Sequence, residues 1–291
     1  MTAGITPLRI SLLRPARDGV ILACLVLAVV HALGLTRIGV DAHTYWTADP
    51  LGPYTATAPA DADAYFYSPA FTQILWPVHA MPWEWYIALW TVILTAALVW
   101  LAGIWTAPVF LLGPAFVDLT VGNIHLMLAA AIVMGFRWPW TWSLVLLTKV
   151  TPGIGLLWFA VRREWTALAI AIAATIAIAA VSIAIAPDLW WQWVSVLREA
   201  SNAPTPGFTV PLPLLPRLVL AGGVVIWGAR TDRRWAVPIA STIALPVLWL
   251  NGLAMLVAVV PLLPREFGPT PASQWLGGRR APDASDEPAG V

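Results

Sequence analysis

The chain has 291 residues, of which 59% are hydrophobic and 11% are charged, whereas a soluble protein has about 25% charged residues. One core of this length cannot bury so much apolar surface, which excludes a soluble globular domain. The 16 Lys and Arg nearly balance the 15 Asp and Glu, so there is no basic field and a nucleic-acid partner is excluded. The 19 Trp and 26 Pro are typical of helices in lipid. We predict an all-α, polytopic transmembrane bundle of about 8–10 helices.

Long apolar stretches recur at the length that a membrane span requires, about 20 residues. Together they predict a transmembrane domain over 19–263, between a cytoplasmic N-terminus at 1–18 and a cytoplasmic tail at 264–291. The tail contains Pro, Gly and Asp without periodicity, which predicts disorder. The predicted spans are 19–36, 84–103, 120–136, 165–186, 212–229 and 235–251, and shorter apolar segments occupy 104–117, 138–161 and 252–263.

Two stretches between the spans are too polar to cross a membrane. Residues 37–83 carry four Asp but, apart from His, one basic residue, Arg37, and we interpret them as a long outer loop. Residues 187–211 begin with several Trp and place polar side chains on another helical face. That pattern predicts a helix lying in the membrane interface, followed by irregular, Pro-rich chain.

Basic residues favour the cytoplasmic side of a membrane. The arginines before the first span therefore place the N-terminus inside and the loop at 37–83 outside. If every apolar segment crossed once, the arginines at 162–163 and 230–234 would also lie outside. The conflict disappears if one segment enters the membrane and returns. We favour 138–161, which a Pro-Gly pair interrupts midway, and 104–117 is the alternative.

Asp41 follows the first predicted span, where the bilayer gives way to water. A carboxylate there can accept the proton of an attacking hydroxyl, a general-base role worth about 10²–10⁴-fold in rate. Arg37, one helical turn earlier, is placed to keep this carboxylate ionised or to face a phosphate. The alternative interpretation is an ordinary solvated acid beside an arginine that extends to the interface.

Lys149 interrupts an apolar stretch together with Pro152 and Gly153, two residue types that break helices. Placing a lysine inside a membrane costs about 2.5–3.5 kcal/mol on insertion scales, so such a cation usually faces an anion or a wet cavity. A lipid phosphate at the tip of a broken helix would satisfy Lys149. Extension of the side chain to the interface is the alternative.

Other polar and aromatic residues give weaker indications. Asp61 and Asp63 form a carboxylate pair that a phosphate-bound divalent metal can use, but such pairs are common in exposed loops. The histidines lack the spacing of metal ligands, so no metal site and no cofactor are predicted. The aromatic and proline residues at 65–69 and 76–83 form either an interfacial belt or a lid beside the site.

The order of several short motifs resembles glycosyltransferase family 87, membrane enzymes of the C-type superfamily that use polyprenyl-phosphate sugars as donors. The resemblance covers roughly residues 20–263. The matching elements are Asp41 and Tyr45 after the first span, Tyr54, the run 66–71, Leu75-Trp76-Pro77, Met81-Pro82, Gly122-Asn123-Ile124-His125, Lys149-Val150-Thr151-Pro152, Arg162-Arg163-Glu164-Trp165 and Leu245-Pro246-Val247-Leu248-Trp249.

This resemblance implies a C-type glycosyltransferase fold in the plasma membrane, with the active site facing outside. It implies transfer of mannose or arabinofuranose from a polyprenyl-phosphate donor to a glycan or glycolipid acceptor. The surrounding membrane lipids are the other expected partners. Asp41 is then the catalytic base, and Lys149 and Arg37 bind the donor phosphate. Asn251 stands where the family often has a histidine. The residues expected to bind substrate are Tyr45, Tyr67, Asn123, His125 and Asn251.

The mechanism expected from these assignments is a single displacement with inversion at the anomeric carbon. Asp41 removes the proton of the acceptor hydroxyl, and Lys149 stabilises the departing phosphate. The alternative is a catalytically degenerate homologue that acts as a membrane scaffold or as a lipid or sugar transporter. Convergence of Asp41 and Lys149 on one cavity favours the enzyme, whereas separation across the bilayer favours the scaffold.

Overall fold

Helices form all the regular secondary structure that the computed structural model describes, in residues 19, 21, 38–55, 63–202, 212–264 and 270–277. These residues contain no strand, so the prediction of an all-helical protein is confirmed for them. The α-helices are α1 (Val40–Thr47), α2 (Pro69–His79), α3 (Trp83–Ala102), α4 (Thr106–Leu111), α5 (Pro114–Val121), α6 (His125–Gly135), α7 (Trp142–Thr148), α8 (Leu157–Val161), α9 (Trp165–Ile185), α10 (Pro187–Asn202), α11 (Leu214–Arg230), α12 (Ala236–Ile243) and α13 (Pro271–Gly277). The 3₁₀ helices are Gly103–Trp105, Pro139–Thr141, Thr151–Leu156 and Asn251–Leu262.

Two of the described helical segments are long and apolar enough to cross a membrane. One runs from α3 through α4, over Trp83–Leu111, and the other is α9. These segments confirm the helices predicted at 84–103 and 165–186. The 21 residues of α9 extend about 31 Å at 1.5 Å per residue, which matches the hydrocarbon thickness of a bilayer. The chain is therefore a membrane protein, and the larger polytopic bundle stays a prediction.

The segment 37–83, for which the sequence predicts an outer loop, contains two helices within its described residues. α1 begins after Gly39, whose φ of 76° lies in the left-handed region and whose N–H donates to the Thr120 carbonyl at 2.7 Å. α2 begins with Pro69, which suits a first helical turn because the missing N–H would have no partner there. Residues 56–62 lie outside the described part of the chain.

The span predicted at 120–136 is wrong as a single helix, because α5 and α6 meet at 113°. α5 ends at Gly122, where φ is 72°. A Cβ at Gly122 would lie 2.7 Å from the Cβ of Ala42, so glycine permits the close approach of α1. The Gly122 carbonyl accepts a hydrogen bond from Trp90 Nε1 at 2.8 Å. The bend therefore places the turn at 122–124 beside α1, and up to three spans result if α5 and α6 together count as one.

Lys149 interrupts the segment 138–161, where the sequence predicts a break. α7 ends at Thr148, and Lys149 has an extended backbone, with φ −135° and ψ 97°. Pro152 has no N–H and so cannot donate to the Thr148 carbonyl, which prevents α7 from continuing. Re-entry of this segment into the side from which it came stays a prediction.

The span predicted at 235–251 is also wrong as a single helix, because α12 ends at Ile243. Pro246 cannot continue a helix, and it disfavours the helical conformation of the residue before it. Arg217 of α11 is 4% exposed, and its guanidinium donates to the carbonyls of Ile243 at 3.0 Å, Leu245 at 2.6 Å and Pro246 at 2.9 Å. The arginine thus satisfies carbonyls that the helix end leaves without partners.

α13 lies within the tail for which the sequence predicts disorder. Thr270 and Ala272 are fully buried. Arg137 Nη1 donates to the Trp275 carbonyl at 2.6 Å, and its guanidinium lies 4.6 Å from the centre of the Trp275 ring. Disorder is therefore the wrong prediction for residues 271–277, because these side chains bury enough surface to hold the helix in place.

α10 confirms the helix predicted at the start of 187–211, and residues 203–211 lie outside the described part. Trp193 Nε1 donates to the Phe66 carbonyl at 3.0 Å, which ties α10 to the chain just before α2. α9 therefore joins two ends of the molecule. Its C-terminal end continues into α10 near Phe66, and its N-terminal end begins beside Arg162 and Arg163.

Candidate active site

Asp41 and Asn123, which are 82 positions apart, meet at the centre of the candidate site. Asn123 Nδ2 donates to Asp41 Oδ2 at 2.6 Å. The other amide atom, Oδ1, accepts the backbone N–H of Ile124 at 2.7 Å. Because a backbone donor occupies Oδ1, the orientation of the amide is fixed and its NH₂ faces the carboxylate. Asn123 is 8% exposed and Asp41 is partly buried, so Asn123 orients an acid that solvent still reaches.

A buried carboxylate organises the turn that carries Asn123. Asp118 is 0% exposed and accepts hydrogen bonds from His125 Nδ1 at 2.8 Å and from the Leu126 N–H at 3.1 Å. Its backbone carbonyl accepts the N–H groups of Gly122 at 2.9 Å and of Asn123 at 3.0 Å. Sequence reasoning missed Asp118, although an acid inside an apolar stretch is itself an indication of function.

Two tyrosine hydroxyls lie in the same cluster. Tyr45 follows Asp41 by one helical turn on α1, and its hydroxyl shares a hydrogen bond of 2.8 Å with that of Tyr67. Burial, followed by the negative charge of Asp41, raises the pKa of the Tyr67 hydroxyl above its ordinary value. Burial also raises the pKa of Tyr45, with smaller contributions from Tyr67 and Asp41. Both hydroxyls therefore stay protonated and can donate hydrogen bonds.

Lys149, the only lysine of the chain, faces this cluster. Its Nζ lies 5.6 Å from the centre of the Tyr67 ring, and its charge acts on Asp41. The ammonium forms no ion pair or hydrogen bond with any described residue. A half-buried ammonium without a hydrogen-bonded counter-ion is suited to bind an anionic group.

Ser68 connects the chain that carries Tyr67 to the helix end that carries Lys149. Both the N–H and the hydroxyl of Ser68 donate to the Leu147 carbonyl. That carbonyl lies in the last turn of α7, where the break leaves acceptors without helical partners. The break therefore has two consequences: it places Lys149 after the end of α7, beside Tyr67, and it provides the acceptor that holds Ser68 and Tyr67 nearby.

Opposing effects set the protonation of Asp41. Burial is the largest effect and raises the pKa of the carboxyl above its ordinary value of 3.8, while the hydrogen bond from Asn123 and the charge of Lys149 lower it. A raised pKa makes the carboxylate a better proton acceptor than a solvated aspartate. Asp41 therefore combines the basicity and the fixed orientation that a general base needs.

Of the other predicted site residues, His125 and Asn251 lie behind the turn that carries Asn123, and Arg37 lies outside the described part of the chain. His125 is 1% exposed, and its Nε2 is buried without a hydrogen-bond partner in the described residues. Asn251 is 9% exposed, and a Cβ on the adjacent Gly252 would lie 3.8 Å from His125 Nε2. The Asn251–Gly252 stretch therefore adjoins the buried His125.

Asp63 of the predicted carboxylate pair is engaged with a histidine. Asp63 Oδ1 lies 2.8 Å from His43 Nδ1, and both side chains are substantially exposed. Asp61 lies outside the described residues. Within the described ranges, no group of three or more His, Cys, Asp or Glu side chains is arranged to hold a metal ion.

An apolar groove of about 340 Å³ runs between α2 and α9. It begins next to the cluster, because α2 starts directly after Tyr67 and Ser68. Both amide atoms of Gln73 are buried without a hydrogen-bond partner among the described residues. The groove is lined by Ala70, Gln73, Ile74, Ala177, Ile178, Val181, Ser182 and Ile185.

Comparison with known proteins identifies the family. A family model described as glycosyltransferase family 87 matches residues 65–275, which is more than half of the chain. The matched region includes Tyr67, Asn123 and Lys149, whereas Asp41 precedes it. The chain matches no curated protein and no solved structure. The resemblance predicted from the sequence motifs is thus confirmed: the chain belongs to glycosyltransferase family 87 and is a membrane glycosyltransferase, an enzyme that acts on a sugar donor and an acceptor.

Proposed function

We propose that this enzyme transfers a hexose or pentose, with mannose and arabinofuranose as the candidates, from a polyprenyl-phosphate carrier to an acceptor hydroxyl. One observation carries the proposal: Asp41, Asn123, Tyr67 and Lys149 come from four separate elements and form one cluster. A base, its orienting amide, a hydrogen-bond donor and a free cation are the groups that displacement of a phosphate by a hydroxyl requires.

The proposed reaction is a single displacement. The acceptor oxygen attacks the anomeric carbon while Asp41 takes the hydroxyl proton, so the new glycosidic bond forms as the bond to the phosphate oxygen breaks. Both bonding electrons leave with the phosphate, and the configuration at the anomeric carbon inverts. A phosphate is a weak base, so its departure needs no proton donor.

Lys149 is the proposed binding group for the donor phosphate. Its ammonium has no ionic partner among the described residues and is held beside Tyr67, where a negative group can approach it. In the transition state this cation would stabilise the charge that develops on the departing phosphate. The hydroxyls of Tyr45 and Tyr67 are neutral donors for the sugar or for the phosphate.

The groove between α2 and α9 is the proposed path of the polyprenyl chain. Its lining is predominantly apolar, and it begins where α2 leaves the cluster. An isoprenoid in this groove would bring its phosphate towards Lys149 without burying a charge in lipid. This arrangement explains why an enzyme that handles sugars consists mainly of apolar helices.

The proposed location is the plasma membrane, as a multi-pass protein whose site faces outside. The end of α9 that adjoins the site leads to Asp188, whereas arginines cluster at the opposite end. Because basic residues prefer the cytoplasmic side, this asymmetry favours an outward-facing site. The acceptor is then a glycan or glycolipid on the outer surface.

The direct test compares the purified wild type with Asp41→Asn in assays with polyprenyl-phosphate mannose and polyprenyl-phosphate arabinose. Removal of the base should lower the transfer rate by about 10²–10⁴-fold with one of these donors. Glu84→Gln is the matched control, because Glu84 is an exposed acid at the first turn of α3. Equal rates for wild type and Asp41→Asn remove Asp41 from the role, and no transfer by the wild type with either donor favours the scaffold alternative.

A further inference from the structure

A second charged region lies at the N-terminal end of α9, away from the candidate active site. Two turns meet there, one between α8 and α9 and the other between α11 and α12. Arg162 joins them, because its guanidinium contacts Glu164 at 2.9 Å in its own turn and Asp232 at 2.9 Å in the other. Arg162 Nη1 also donates to the Ala229 carbonyl at 3.1 Å. The two turns therefore form one surface.

Each of the two turns contains a non-glycine residue in the left-handed backbone conformation, which is energetically unfavourable for such residues. In the first, Glu164 N–H donates to the Phe159 carbonyl at 2.8 Å, and Arg163 has a φ of 59°. In the second, Arg233 N–H donates to the Gly228 carbonyl at 2.8 Å, and Asp232 has a φ of 56°. This is the Schellman ending of a helix, in which glycine normally occupies the left-handed position.

An arginine at the left-handed position indicates a role other than folding. A left-handed conformation is unfavourable for a residue with a Cβ, and glycine would remove the strain. Arg163 is exposed and forms no ion pair with a described residue, so no ion pair of its side chain offsets that strain. Strained residues that persist tend to mark functional positions.

The remaining arginines of this surface have no carboxylate partner within the described residues either. Arg230, Arg233 and Arg234 are exposed, and their turn contributes a single acid, Asp232, which Arg162 already engages. The guanidinium of Arg233 lies beside a pair of contacting indoles, 5.7 Å from the ring centre of Trp227 and 5.9 Å from that of Trp235. Arg234 likewise lies 5.5 Å from the ring centre of Phe136, so aromatic rings contact two of these cations while no carboxylate of the described residues neutralises them.

The position of this surface at the end of a membrane-spanning helix indicates which part of the lipids it contacts. α9, a segment apolar enough to span a membrane, begins at Trp165, two residues after Arg163. The Trp165 and Trp227 side chains are 59% and 47% exposed, and tryptophan is enriched where acyl chains give way to head groups. The arginines therefore lie where the phosphates of the lipids are.

We propose that Arg163, Arg230, Arg233 and Arg234 form a binding site for the phosphate head group of an anionic glycerophospholipid. Guanidinium groups bind phosphate through paired N–H donors, and basic surfaces between membrane helices bind anionic head groups. The indoles of Trp227 and Trp235 sit beside the acyl chains and keep Arg233 at the height of the phosphate. This site differs from the proposed donor site in its residues and lies at the other end of α9.

The test uses the full-length protein in a neutral detergent and measures its dissociation constant for dioctanoyl-phosphatidylglycerol by native mass spectrometry. Dioctanoyl-phosphatidylcholine and inorganic phosphate are the comparison ligands. Each arginine that is removed should weaken phosphatidylglycerol binding about fivefold. Arg233→Gln should show this loss, and Arg233→Lys should lose less affinity than Arg233→Gln, because the charge remains while the paired N–H donors are removed. Arg198→Gln, with the same change of charge on α10, should stay within twofold of the wild type.

Arg163→Gly separates binding from folding. Glycine suits the left-handed turn, so this variant should unfold at a higher temperature in the absence of lipid and yet bind phosphatidylglycerol more weakly. An unchanged affinity in both Arg163→Gly and Arg233→Gln overturns the proposal. Equal binding of phosphatidylcholine, or equal binding of inorganic phosphate, overturns it as well, because the site would then not select an anionic lipid.

Discussion

The two ends of α9 use charge in opposite ways. At one end Asp41, Asn123 and Lys149 are partly or largely buried, and a hydrogen bond from Asn123 orients the carboxylate of Asp41. At the other end Arg163 and Arg233 are exposed, neither forms an ion pair with a described residue, and Arg233 lies beside the indoles of Trp227 and Trp235. Partial burial shifts proton affinity, whereas exposure leaves charge available to the surrounding lipid. This difference is the basis for proposing chemistry at the first end and lipid binding at the second.

After the loss of the base in Asp41→Asn, the largest expected effect in this comparison is the loss of the cation at the buried end. Lys149→Met should lower kcat/KM by about 10²–10³-fold, because the transition state loses a group that stabilises developing charge. Steady-state transfer kinetics check this. Arg233→Gln, which removes one positive charge at the other end, is the control and should leave the transfer rate within about twofold. A Lys149→Met enzyme with wild-type kinetics would exclude Lys149 from donor binding.

Lys149 also permits a chemical test without mutation. It is the only lysine of the chain, so an amine-selective reagent can modify no other side chain. Polyprenyl phosphate should protect Lys149 from modification, as measured by peptide mass spectrometry, whereas a polyprenol without phosphate should not. Equal modification in the presence of both lipids would contradict phosphate binding at this position.

The next effect concerns the pH dependence of transfer. Asp41 accepts a proton only when ionised, so the rate should fall as the pH is lowered through its raised pKa. Asn123→Ala removes a hydrogen bond that lowers the pKa of Asp41, so the acidic limb of the pH profile should move to higher pH. The pH profile of kcat/KM measures the shift. Asn251→Ala serves as the control and should leave the limb where it is; an unmoved limb in Asn123→Ala would show that Asn123 does not act on the base.

The smallest effect is on stability, at the glycine where α1 approaches α5. Gly122→Ala would force a methyl group to within 2.7 Å of Ala42 Cβ at a φ of 72°. Backbone strain of this kind costs about 1–3 kcal/mol, so the thermal unfolding midpoint in detergent should fall. Gly223→Ala is the matched control, since its Cβ would meet no atom within 4 Å in the middle of α11. That change should be neutral or stabilising, by up to about 1 kcal/mol; equal midpoints for the two variants would contradict the packing described here.

Hydropathy predicted the long helices well and the bent ones poorly. α9 was predictable because an uninterrupted apolar segment of 21 residues has the length and composition of a membrane-spanning helix. The bend after α5 was not, since it depends on the left-handed Gly122 and on contacts with α1 that lie 80 positions away in sequence. The early end of α12 depends on Arg217, whose bonds to distant carbonyls leave no trace in a hydropathy profile.

The sequence predicted which residue types form the candidate site, but it did not predict the hydrogen bonds between them. The acid after the first span and the lysine in a broken segment follow from the cost of placing charge in a membrane. Asn123 was assigned to substrate, whereas its amide is held between Ile124 and Asp41. Asp118 was missed because its partners, His125 and Leu126, become apparent only when the turn between α5 and α6 is known.

The central claim is that the acidic end with Asp41 lies on the outer face of the membrane and the arginine end on the inner face. Sided cysteine labelling tests it in a Cys24→Ser background, since Cys24 is the only cysteine. Thr47→Cys on α1 and Thr231→Cys between α11 and α12 place exposed thiols at the two ends. A membrane-impermeant maleimide should label Thr47→Cys in intact cells and Thr231→Cys only after permeabilisation. The reverse pattern, or labelling of both thiols from one side, would contradict the account.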